Sequence, residues 1–222
     1  FILIEYTESH PTQFRPKTPE RRMTTASFVF AALDLTVTKH TIRYLVSRLV
    51  NSLTRRDTCH SPAFRETMLL TTKFLRPTAD PRSVQRERLS ALLQPEGAKR
   101  LNLVVAPAGF GKTTLVSQWC SQSPSTVAWL SLDEHDDEPR RFWQYVVGAF
   151  EHNGLVGLEQ CRQQLSHCGL QELEGPITGL INVLAADGAP WSLVLDDYHF
   201  IRDPQLQRQV SYFMDYLPPG VM

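Results

Sequence analysis

The stretch "LNLVVAPAGFGKTTLVSQWC", residues 101–120, decides the fold. Its first residues form a short apolar run, as a buried strand does, and "KTTLVSQWC" continues as a helix. Between them stands a turn with two glycines, followed by a lysine and two threonines. A phosphate loop asks for glycine, four residues, then Gly-Lys-Ser/Thr. Ala106, a small substitute, fills the first glycine position. Gly109 and Gly111 permit backbone angles closed to other residues, so successive N–H groups can point at one anion. The helix opening at Gly111 adds the positive end of its dipole. Lys112 is placed to reach the outer phosphates, and the Thr113 hydroxyl to ligate magnesium. Ala108, Phe110 and Thr114 complete the expected nucleotide cradle. The alternative is an ordinary strand–turn–helix corner, but strand, loop and helix stand here in the order that a nucleotide site requires.

The chain has 222 residues, enough for one large or two small domains, and 42% of them are hydrophobic, so a buried core is available. Equal numbers of basic and acidic residues, 23 each, do not mark the whole chain as a nucleic-acid binder. The charge is uneven: residues 1–67 hold ten Lys/Arg and six Asp/Glu, and residues 68–222 hold 13 and 17. Cys59, Cys120, Cys161 and Cys168 form no C-x-x-C pair, and Cys161 and Cys168 are too far apart for a usual zinc knuckle. Reduced thiols in a cytosolic protein are expected. No run approaches membrane-spanning length. "RRMTTASFVFAAL" invites a twin-arginine export reading, but its apolar part is short and is broken directly afterwards by Asp34. The chain opens on Phe1, as a fragment would.

Residues 1–67 are rich in Thr, Ser, Arg and His and show little pattern. One exception is "HTIRYLVSRLVNSL", where Ile42, Leu45, Val46, Leu49, Val50 and Leu53 recur at helical spacing with Arg43, Arg48, Arg55 and Arg56 around them. A basic partner- or membrane-binding helix is one reading. A helix packed on the main domain, or sequence foreign to the natural protein, are the two preferred. Patterned sequence starts at Met68, so the expected division is an N-terminal extension over 1–67 and a partial ATP-binding domain over 68–222.

From Met68 helices and apolar strands alternate. "SVQRERLSALL" starts a helix bearing Leu89, Leu92 and Leu93, and "PEGAKR" is a polar turn. "TVAWLSL" is a second apolar strand. "DEHDDEPRRFWQYVVGAF" opens on acidic caps and Pro139, then places Phe142, Val146, Ala149 and Phe150 on one helical face. A short helix between loops is expected within 152–175. "PITGLINVLA" aligns Ile177, Leu180, Ile181 and Leu184, and "WSLVLDDYHF" is a third strand. "DPQLQRQVSYFMDYL" is capped by Asp203 and Pro204, carries a stripe of Leu206, Val210, Phe213, Met214 and Leu217, and is stopped by "PPG". Strands alternating with helices imply an α/β parallel sheet covered on both faces.

A phosphate loop needs an acid to hold magnesium, and Asp196 stands at the carboxyl tip of the third strand, where ligands collect in such sheets. Asp196 is the expected metal ligand beside Thr113. Asp197 is expected to orient or deprotonate the attacking water, with Lys112 as the other catalytic group. The alternative is a pair of acids capping a turn.

"TKFLRP" (72–77), "VQRERL" (84–89), "LVVAPAGFGKTTLVSQW" (103–119), "AWLSLDEHDDEPRRFWQYV" (128–146) and "LVLDDYHFI" (193–201) stand in this order along the chain. Together they resemble the ATP-binding module of the large LuxR-type transcriptional activators, the maltose-activator group within the STAND class of signalling P-loop ATPases. The resemblance covers roughly residues 68–222. It implies a P-loop NTPase sheet with Walker A and Walker B elements, flanked by helices and truncated after the Walker B strand and its following helix. It implies a Val-x-Arg element that contacts the adenine and ribose, matched by Val84 and Arg86. The related disease-resistance and apoptosis ATPases have glycine before that arginine, where this chain has Gln85. His199 stands after the acidic pair as in the family, with phosphate sensing and helix capping both open as its role. "SLDEHDDE" is family-typical without a derived role, and a solvated helix face is expected for Arg140 and Arg141.

The resemblance further implies an ATP/ADP and Mg²⁺ switch with slow hydrolysis at most. ATP favours a self-associating form, an inducer binds a repeat domain, and a carboxyl-terminal helix-turn-helix binds DNA, all in the cytoplasm. A catalytic ATPase or phosphotransferase unrelated to transcription, and a scaffold with a degenerate site, are the competing functions. In the class, a fourth strand lies between the phosphate-loop strand and the acidic strand. "PPGVM" is read as its approach, so the slot between those strands is expected to stand open in this chain, or the two to pair directly.

Overall fold

The structure is a computed structural model, and it describes residues 2–6, 26–30, 34–37, 68–80, 82–93, 101–167, 169 and 172–221. The helix expected near 40–53 lies outside the described residues, as do Cys59 and Cys168. Six strands form one sheet: β1 (Ile2–Tyr6), β2 (Ala26–Phe30), β3 (Asp34–Val37), β4 (Asn102–Ala106), β5 (Thr126–Ser131) and β6 (Trp191–Asp196). Their spatial order is β3-β2-β4-β1-β6-β5. All neighbours are parallel except β2 and β3, which pair antiparallel. The helices are α1 (Glu87–Leu92), α2 (Lys112–Cys120), α3 (Pro139–His152), α4 (Glu159–His167), α5 (Glu174–Asp187) and α6 (Pro204–Tyr216).

Side-chain alternation along the strands builds two cores. Val104, Trp129 and Val194 point to the side of α1 and α2, where they meet Leu115, Val116 and Trp119. Ala128, Leu130, Leu193 and Leu195 point to the opposite side, against α3, α5 and α6, with α4 packed outside α3 and α5. Trp119, Trp129 and Trp143 are each at most 1% exposed. Truncation of a side chain of this size in such a core costs about 3–5 kcal/mol. The Trp143 indole N–H donates to Gln209 Oε1 at 2.9 Å, which ties α3 to α6 through the core.

Local chemistry fixes the helix ends. The Glu138 carboxylate accepts the N–H groups of Arg140 and Arg141 ahead of Pro139, and the Asp203 carboxylate accepts that of Leu206 ahead of Pro204. α5 ends on Gly188 at φ +67°, a left-handed cap that glycine adopts at low cost.

The slot between β4 and β6 is filled. β1 lies in it, pairing Ile2 to Tyr6 with Asn102 to Ala106 on one side and Ile2 and Leu3 with Val194 and Leu195 on the other. The two strands therefore neither face an open slot nor pair directly, as had been expected; a strand from the first 67 residues supplies the edge partner of both. Ile2 and Ile4 are fully buried in the α2-side core, and Leu3 joins the opposite one. The sheet thus continues across the expected division at 67/68. Val221 forms a parallel bridge with Trp191 at the foot of β6, on the edge that β5 does not occupy. Among the described residues, no helix is long and apolar enough to cross a membrane.

Candidate nucleotide site

The turn between β4 and α2 holds Gly109 at φ +78° and Gly111 at φ +75°, both in the left-handed region. A β-carbon at either position would meet no atom within 4 Å, so the backbone angle, not space, calls for glycine there. Gly111 is the N-cap of α2 and, as glycine, makes no side-chain cap bond there. The Lys112 ammonium curls inside the turn and donates to the carbonyls of Ala106 at 2.8 Å and Pro107 at 3.1 Å. Ala108 is exposed in the turn, and Thr114, in the first turn of α2, is half-buried. Arg86 donates to the Phe110 carbonyl at 3.1 Å. Arg86, Leu89, Ala106, Phe110, Gly111 and Lys112 line one recess. Val84, two residues earlier, is 79% exposed and outside the lining of that recess.

Asp196 shares strand parity with Ser192 and Val194, which places its carboxylate on the α2 side of the sheet. The Thr113 hydroxyl, in the first turn of α2, lies 3.2 Å from both carboxylate oxygens. The Asp197 N–H donates to Asp196 Oδ1 at 3.1 Å. Burial, and then the charge of Asp197 beside it, push the Asp196 carboxyl up to about 6. Asp197 itself, at φ +59°, has the only positive φ among the described non-glycine residues, and its side chain is half exposed. The His199 imidazole stands 3.7 Å from the Asp197 carboxylate and against the Phe200 ring. Burial holds it below its ordinary range, against the pull of Asp197.

These residues fit magnesium and a polyphosphate. A hydroxyl and a carboxylate converge as two hard oxygen donors, and magnesium commonly keeps water on its remaining positions. A cation there would return the raised Asp196 to its charged form. The Lys112 ammonium is a donor only, and the glycine turn leads into the N-terminus of α2, the end of a helix that favours an anion.

The acidic loop has a structural role that the sequence did not disclose. Asp133 and Asp136 form a reciprocal capping box over Glu134–Asp137, a short 3₁₀ turn. Asp136 is fully buried and takes Lys73, itself 9% exposed, together with Arg141 Nε at 3.1 Å. Lys73 also reaches Asp133 at 2.7 Å, and both cations lie over the Tyr145 ring. Arg141 is therefore an ion-pair partner and not part of a purely solvated helix face. Asp137 accepts the N–H groups of Arg202 and Asp203 at 2.6 and 2.7 Å. Periodicity misses Lys73 and the amides of Arg202 and Asp203 as partners, each joined over 60 residues of chain; the signal within reach was a lysine inside an apolar "TTKFL" segment.

The described thiols, Cys120 and Cys161, are buried. Burial pushes Cys120 up to about 12 and raises Cys161 as well. Of the expected site, the structure brings together Lys112, Thr113, Asp196 and Asp197, and joins Arg86 to the turn of Gly109, Phe110 and Gly111.

A mainly parallel sheet with helices on both faces and a glycine turn behind one of its central strands is an α/β fold consistent with a P-loop NTPase domain. No protein-family model matches the chain. Among the curated proteins to which it is similar is the HTH-type transcriptional regulator MalT of Cronobacter sakazakii (strain ATCC BAA-894), 36% identical over 154 residues. That match covers 68% of this chain and 17% of the length of MalT.

Proposed function

We propose that the chain carries the ATP- and Mg²⁺-binding switch module of a LuxR-type, STAND-class transcriptional regulator. The observation that carries this reading is the meeting of Thr113 with both oxygens of Asp196 at 3.2 Å, behind a turn whose glycines adopt left-handed angles. Similarity to an HTH-type transcriptional regulator supports the regulatory half of it.

Lys112 and the turn amides would hold the phosphates, and Thr113 with Asp196 the metal. Bound magnesium supplies charge neutralisation at the outer phosphates. Arg86, fixed on the Phe110 carbonyl, borders the recess where the nucleoside would lie. Asp197 stands at the open side of the acidic pair, suited to orient water and take its proton. Hydrolysis in this reading is slow, and the nucleotide state controls self-association of a cytoplasmic regulator. Inducer and DNA bind other domains of the whole regulator.

Titration of the protein with Mg-ATP tests the reading. Lys112→Ala should weaken binding at least ~10-fold, as expected for loss of a charge-assisted phosphate contact. Asp197→Asn should slow turnover more than it weakens binding. Equal affinity in the Lys112 variant would remove the phosphate-loop assignment.

A further inference from the structure

We propose that Asp137 is a positioning residue for Asp197, holding the turn that carries it from the far side of the acidic loop. The inference rests on the nucleotide reading above and deepens it. Residues 132–137 grip both ends of the segment 196–203. At one end the Leu132 N–H donates to the Asp196 carbonyl at 3.0 Å. At the other, one carboxylate oxygen of Asp137 takes the N–H groups of Arg202 and Asp203. Between these points runs a short 3₁₀ turn, Tyr198–Phe200, whose internal bonds are Phe200 to Asp197 at 3.1 Å and Ile201 to Tyr198 at 2.9 Å. Such a turn is compliant on its own, and it starts from the left-handed backbone of Asp197.

The gripping segment is itself fixed. Asp136, next to Asp137, is buried between Lys73 and Arg141, and its carboxylate also accepts the Asp133 N–H at 2.9 Å. Asp137 commits its carboxylate to two backbone N–H groups, at the point where the chain turns into α6. Loss of that anchor leaves Asp196 in its strand and Thr113 in its helix, but frees the angle at which Asp197 meets water. Asp137 is a positioning residue, acting through backbone and touching no substrate.

The test measures Mg-ATP binding, steady-state turnover and amide hydrogen exchange for the full chain and its Asp137→Ala, Asp137→Asn and Asp137→Glu variants. Asp137→Ala should lower kcat about tenfold with KM within about twofold, because small misplacements of a catalytic group are costly. Asp137→Asn keeps a carbonyl oxygen for both N–H groups and should stay within about threefold of the parent. Asp137→Glu keeps the charge but moves the oxygen, so it should fall with Asp137→Ala; it decides the matter if the alanine variant does not fold. Exchange at Arg202 and Asp203 should speed up in the two slow variants while α2 stays protected. Parental turnover in Asp137→Glu or Asp137→Ala overturns the proposal, and so does Asp137→Asn as slow as Asp137→Ala. Absence of Mg-ATP binding by the parent chain would remove the nucleotide reading instead, and the exchange pattern would then decide alone whether Asp137 anchors the turn.

Discussion

Burial, and then the charge of Asp197 beside it, push the Asp196 carboxyl up to about 6 from the 3.8 of an ordinary aspartate. The folded state therefore holds this proton more tightly than the unfolded chain does. The stabilisation is complete below pH ~4 and is lost as pH rises through ~6. Thermal melts of the parent should fall over that window relative to Asp196→Asn, which at pH 8 should melt a few degrees higher. The same variant should lose the magnesium dependence of ATP binding; a melt unchanged at pH 8 would contradict the buried charge. At this scale the sequence was most informative where the chemistry is local. Gly109, Gly111, Lys112 and Thr113 are neighbours, and their geometry follows from their order. Asp136 and Asp137 had no derivable role because their partners, Lys73 and the amides of Arg202 and Asp203, are distant in sequence.

Helix α3 shows how one element is seated by a missing side chain. A β-carbon at Gly148 would stand 2.8 Å from Leu69 Cδ1 and 2.8 Å from Phe74 Cζ. Glycine inside a helix costs about 1 kcal/mol relative to alanine. Here it lets the Thr71–Phe74 turn lie against the helix, with Phe74 edge-on to Tyr145 and Lys73 delivered to Asp136. Gly148→Ala should therefore destabilise by about 1–3 kcal/mol in urea unfolding despite its better propensity. Gly148→Val should be worse; an alanine variant more stable than the parent would show that the turn yields without cost. The helices and strands after residue 84 were legible from their periods, including the short helix expected within 152–175, which is α4. Apolar stripes on α3 and α6 announced themselves because one face of each is buried. The seat at Gly148 did not, since an isolated glycine in a helical pattern has no period.

Across the whole molecule, β1 is the piece that composition concealed. Five residues carry too short an alternation to be told from loop, and parallel pairing is chosen by partners far along the chain. Its position is nonetheless central: Ile4 is fully buried in the α2-side core with Val104 and Val194. Ile4→Asp should cost roughly 3 kcal/mol or more and loosen β4 from β6, by the penalty for an unpaired buried charge. Denaturant unfolding with intrinsic tryptophan fluorescence reads this directly through Trp129 in the same core. Unfolding indistinguishable from the parent would show that the sheet closes without β1.

The register of β1 also sets a timetable. Leu3 faces Leu103 on one side and Leu195 on the other. During synthesis at about 5–20 residues per second, roughly 10 to 40 s separate the emergence of β1 from that of β6, its second neighbour. Through that interval β1 has at best one edge covered, and Asp196 has not yet left the ribosome. β4 and β6 are joined only when β1 is enclosed by a strand made about 190 residues later. That is a slow, non-local closure, and it makes the pace of translation, and any chaperone that shelters an apolar strand meanwhile, part of how this site comes into being.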